Sequence, residues 1–185
     1  MDTVLDRLDT AIKEYLTSID TDALDDNDHR RLSEILAFTT NLEHAGDIIE
    51  KSLMALAARR IKRGVSFSEP SRAEIRQMVD RLISNARAAA AVFMTEDPRA
   101  ARRLLSEKEV FRDLELRTTD EHFGRTRVGW AESIEMSKLL LDIVRDLKRV
   151  NAHLAAAAYP ILEGRGELLP SRLRQDANNT ATMNC

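Results

Sequence analysis

Near the C-terminal end of the chain an aliphatic residue returns every seventh position, at Leu140, Leu147, Leu154 and Ile161. Met136, Ile143, Val150 and Ala157 fill a second register four residues before each. An α-helix lays such a pattern along one face, whereas a strand, whose side chains alternate, would scatter it over two. A stripe of that length needs apolar neighbours, so the sequence specifies an all-α antiparallel helical bundle. An earlier stretch repeats the arrangement, with Leu32, Thr39, Gly46 and Leu53 in one heptad position and Ile35, Leu42, Ile49 and Leu56 in the other. Composition agrees: 43% of the 185 residues are hydrophobic but only 4% aromatic, and six glycines and four prolines punctuate them lightly.

About five helices follow from the periodicity and the cap signals. Leu5, Leu8, Ile12, Tyr15 and Ile19 predict an amphipathic helix over 2–20, capped by Asp2 and followed by the acidic connector TDALDDND. The second helix should run from about Asn27 to the basic run RRIKRG, where Gly64 can take the left-handed cap conformation. Ser68, Pro70 and the capping-box pattern of Ser71 with Glu74 announce a third, ending near Glu96. Asp97 and Pro98 open a fourth that reaches about His122, and GRTRVGW reads as a turn. The last helix spans about 132–162, where Tyr159-Pro160 can end or kink it. These elements divide into a two-helix unit over 1–65, a three-helix unit over 66–168 and a polar tail over 169–185, expected to be disordered.

Several function classes are disfavoured. The 28 basic and 31 acidic residues are interspersed, for a formal charge of −3, which leaves no footprint for a nucleic acid or an anionic membrane. The one cysteine is Cys185, so no internal disulfide framework exists and a reducing compartment is expected. No apolar run approaches the ~20 residues of a membrane helix, and the opening MDTVLDRLDTA does not resemble a signal peptide, so the chain as given is expected to be soluble. Nucleotide-binding glycine loops are absent, and so is any Glu-x-x-His motif of the di-iron carboxylate bundles.

Chemistry concentrates on the second helix. Glu43, Asp47 and Glu50 stand at i, i+4 and i+7, one stripe whose flanking members, Leu36 and Met54, are apolar. Half-buried carboxylates so spaced repel one another, and a divalent or ferric metal ion or arginines from a facing helix would relieve the repulsion. Pairing of Glu43 and Glu50 with basic residues at a solvated edge is the competing structural explanation. Gly46, in mid-helix at a cost of about 1 kcal/mol relative to alanine, implies close approach of another helix or a ligand. Of His29, His44, His122 and His153 none has zinc-ligand spacing; His153 lies near the last seam, where packing is the simpler role. Arg145, Lys148 and Arg149 form a basic run on the last helix, either an anion or partner contact or a solvated face.

Shifting the second helix by 105 positions lays Ile35, Leu42, Ile49 and Leu56 on Leu140, Leu147, Leu154 and Ile161, a weak internal repeat. The string Asn41-Leu42-Glu43-His44-Ala45-Gly46-Asp47 resembles the signature of PhoU-type domains. Asp142 through His153, followed by Ala158-Tyr159-Pro160, resembles the C-terminal PhoU-like region of bacterial sodium/phosphate cotransporter proteins. The resemblance runs from about residue 4 to residue 168. It implies one partial and one complete three-helix repeat, with the partial one lacking an opening helix upstream of Met1, and a non-enzymatic regulatory role. That role would be exerted on a membrane transporter domain, in the same polypeptide or a separate subunit, at the cytoplasmic face of the inner membrane. It further implies a metal site at Glu43 and Asp47, with Glu50 adjoining; the matching second-repeat positions, Lys148 and Ala152, cannot supply one. A homodimer is expected if the seam left by the missing helix stays uncovered. The alternatives are a metal-free helical scaffold that binds a protein partner and a metal-dependent helical enzyme.

Overall fold

The computed structural model describes residues 2–64, 66–127 and 134–168, and among these all regular structure is helical. Helix α1 is Asp2–Thr17. It stops earlier than its apolar period suggests, because the Thr17 and Ser18 hydroxyls donate back to the carbonyls of Glu14 and Tyr15, at 2.9 and 2.7 Å. A single 3-10 turn, Thr21–Ala23, leads to α2, Asp26–Asp47. Its cap is Asp25, whose carboxylate accepts from the Asp28 N–H at 2.8 Å.

The helix then widens into a π-helical turn, Ile48–Leu53, before resuming as α3, Met54–Lys62. This turn alters the seam expected from the sequence. Ile48 is buried while Ile49 is exposed, and the next core contact comes five residues on, at Leu53, the step of an i to i+5 turn.

Helix α4, Glu69–Thr95, is capped by Ser68 with Pro70 in its first turn; Ser71, expected to open a capping box, is buried in that turn and donates its N–H to the Ser68 hydroxyl at 3.4 Å. It ends on Glu96 in the left-handed conformation, φ 51°. The Asp97 carboxylate caps α5, Pro98–Arg127, which continues past His122 and so makes helix of residues 124–127; the remainder of the expected turn lies outside the described residues, as does the tail 169–185. Helix α6, Ile134–Ala155, passes through a 3-10 turn, Ala156–Ala158, into the short α7, Tyr159–Glu163. Pro160 sits in the first turn of α7, where its missing N–H costs nothing, and the preceding turn absorbs the break.

Helices α4, α5 and α6 pack around Met78, Val92, Leu104, Phe111, Leu140, Val144 and Val150, all essentially inaccessible. Each such side chain contributes on the order of 1.5–3 kcal/mol. Polar groups are sealed into this core too. The Asn151 amide oxygen accepts from Asn85 at 2.8 Å, while its amide nitrogen donates to the Glu107 carbonyl at 3.2 Å. Asp146, 1% exposed, takes the Ser52 hydroxyl and the Arg149 guanidinium, the latter at 3.0 Å. Helix α2 and the π turn lie against α6 and extend the same core through Ala45 and Ile48, and α1 covers α2 from the other side.

Candidate metal centre

Gly46 determines how α1 sits on α2. A Cβ built at this position would lie 2.4 Å from the Leu5 Cδ1, so only glycine lets Leu5 rest where it does, against the helix backbone. Asp6, one residue on and about 100° round the helix, is thereby directed to the flank of α2 that carries Glu43 and Asp47. Asp6, Glu43 and Asp47 are each half-buried, and one carboxylate oxygen from each lies within 4.8 Å of the others.

Two of the three residues expected from the sequence are therefore brought together, and Glu50 stands outside the group. The π turn that begins at Ile48 displaces it from the i+7 position it would have on an α-helix; Glu50 instead lines an open apolar groove of about 680 Å³, with Leu5, Ile49, Met54 and Ile83 among its walls. Asp6 was missed because it belongs to another helix. The signal for it was Gly46, which announces that some element approaches the backbone beside Glu43 and Asp47.

A neighbouring cation already tempers the cluster. The Lys51 ammonium sits 2.5 Å from Asp47, and the His44 Nε2 is 3.5 Å from Glu43. His44 meets His153 of α6 edge to face at 5.3 Å, and the His153 Nδ1 pairs with the Asn41 amide oxygen at 2.9 Å, so His153 has the packing role expected of it. Burial, with His44 and then Arg149 adding to it, holds the His153 imidazole below its ordinary pKa of 6.5.

The donor set suits a hard cation. Three carboxylate oxygens, with neither sulfur nor imidazole among them, match magnesium, calcium, manganese or ferric iron better than zinc or copper(I). The second half is built differently at the matching place. Lys148 replaces Glu43 and forms an ion pair with Glu115 of the preceding helix at 2.5 Å; Asn151 replaces Gly46 and is buried in its amide network. Arg145 and Arg149 are likewise engaged, converging on Asp146.

The chain is similar to proteins named "Putative inorganic phosphate export protein YjbB". The Salmonella typhimurium relative is 38% identical over 154 residues, and those of Escherichia coli K12 and Shigella flexneri are 35% identical over the same length. The matched stretch is 83% of this chain but only 28% of each relative, so the chain spans little more than a quarter of their length. No family model and no solved structure matches it. Among the described residues no helix is long and apolar enough to cross a membrane.

Proposed function

We propose that this chain is a PhoU-like regulatory domain of a phosphate transport protein, acting at the cytoplasmic face of the inner membrane on a transporter domain whose phosphate movement it modulates. The observation that carries the reading is the similarity over 154 residues to proteins named for phosphate export, in a chain whose described residues fold entirely into helices. In this reading Asp6, Glu43 and Asp47 take a divalent or ferric cation, which neutralises the three carboxylates and fixes α1 against α2; Glu50 stands by at the groove. The domain is then a conformational element rather than an enzyme, and coupling to sodium would belong to the membrane part.

In the native host, Glu43→Gln with Asp47→Asn should change radiolabelled phosphate flux or its response to external phosphate, while protein abundance stays constant. Unchanged flux would count against the regulatory role of this site. On the isolated chain, saturating magnesium, manganese or ferric iron should raise the unfolding free energy by about 2.7 kcal/mol at a hundredfold excess over Kd, and the double variant should abolish the effect.

The apolar groove supports a second reading, a metal-free scaffold that docks a partner helix or a second copy of the chain. Under that reading the carboxylate substitutions leave flux unaltered, whereas charges placed at Ile83 and Met54 alter it.

A further inference from the structure

The surface of α3 is strongly basic. From Lys51 to Ser68 there are five basic residues and no acidic one, in a chain whose formal charge is −3. Four of the five, Arg59, Arg60, Lys62 and Arg63, crowd the last turn of the helix and its cap. A helix C-terminus attracts cations through about half an elementary charge, so most of this positive charge exceeds what the dipole needs.

An apolar line runs beside it. Met54 and Ile61 are seven residues apart on α3, hence on one side, with the exposed Ala58 between them; Met54 is 61% and Ile61 75% exposed. Lys62 lies to one flank of this line and Arg60 to the other. The end is anchored from within, because Phe67 is buried beneath the Arg60 guanidinium, 5.5 Å from its ring centre, while Ile61 faces outward. A projecting aliphatic side chain flanked by cations at the tip of a helix combines the two attractions, apolar burial and positive charge, that hold a protein to an anionic lipid interface.

The opposite end of the same rod has the opposite sign. Asp20, Asp22, Asp25, Asp26 and Asp28 surround the start of α2, all exposed. Residues 26–62 form one continuous helical rod, about 55 Å long at ~1.5 Å per residue. That separation is several times the Debye length of ~8 Å at physiological ionic strength, so an anionic surface at the basic end does not feel the acidic end.

We infer that the α3 end, centred on Arg59, Ile61 and Lys62, is a contact surface for an anionic lipid bilayer, which would stand the bundle on the membrane with its aspartate-rich loop pointing away. This rests on the charge and apolar pattern of α3 and does not require that the chain act on phosphate.

The test is co-sedimentation of the whole chain with vesicles of phosphatidylglycerol and phosphatidylcholine in equal parts, compared with phosphatidylcholine alone, at physiological salt. Binding is expected to the anionic vesicles only. Arg59→Gln with Lys62→Gln should weaken it about thirtyfold, from roughly a fivefold contribution per cation. Ile61→Ser should weaken it further, and circular dichroism should show every variant folded, since these side chains are exposed. A control pair on α5, Arg112→Gln with Arg117→Gln, removes as much exposed charge and should leave binding unchanged. The proposal is overturned by no binding to anionic vesicles, by equal binding to neutral ones, or by equal loss from both double variants.

Discussion

At Gly46 the missing methyl group lets the tip of Leu5 rest against the backbone of α2. Alanine there gains about 1 kcal/mol of helix propensity but must displace the tip of Leu5, and Leu5 borders an open groove into which it can turn. Gly46→Ala should therefore unfold within about 1 kcal/mol of the parent in urea. Gly46→Leu adds a branched side chain that must displace Leu5 altogether; it should cost about 1–3 kcal/mol and free α1, seen as faster amide exchange over residues 2–17. His153 gives a second residue-scale expectation. Its folded pKa lies below the unfolded value of 6.5, so between the two the unfolded state holds more protons. Its contribution to stability is whole above pH 6.5 and is lost as the pH falls through the lowered folded value. His153→Gln should flatten that part of the stability profile, measured by urea midpoints from pH 7 to pH 5, and an unchanged profile would exclude His153 as the source.

Among the elements, burial is unequal. Of the large buried apolar side chains, Leu16 and Ile48 come from the first 65 residues, whereas Met78, Leu104, Phe111, Leu140 and Leu154 are among the many from 66 onward. A fragment of 66–168 should therefore stay helical and unfold cooperatively, less stable than the whole chain, while 1–65 alone should show little helix by circular dichroism. Where the sequence was legible, the reasons were local: heptads placed α2 and α6, the Ser68 and Pro70 signals placed the start of α4, and Asp97-Pro98 placed the α4 to α5 turn. Where it was not, the structure depended on something other than periodicity. The π turn substitutes Ile48 for Ile49 in the core and removes Glu50 from the carboxylate stripe, which no heptad reveals. Asp6 joins Glu43 and Asp47 across helices, a pairing that needs the docking of α1. The Asn85–Asn151–Glu107 network likewise unites three helices whose polar residues, read singly, look like surface positions.

For the molecule as a whole, the two heptad stretches, in α2 and in α6, share an apolar period but not a charge plan. Lys148 and Glu115 cancel within the protein, and Asp142 and Asp146 balance Arg145 and Arg149, whereas Asp6, Glu43 and Asp47 gather three carboxylates in one place. If that cluster takes a cation, its charge changes while the ion pairs of α6 stay as they are, like a bridge circuit with one fixed arm. The shared face of α2 and α6, where the two arms touch, is where the imbalance would register.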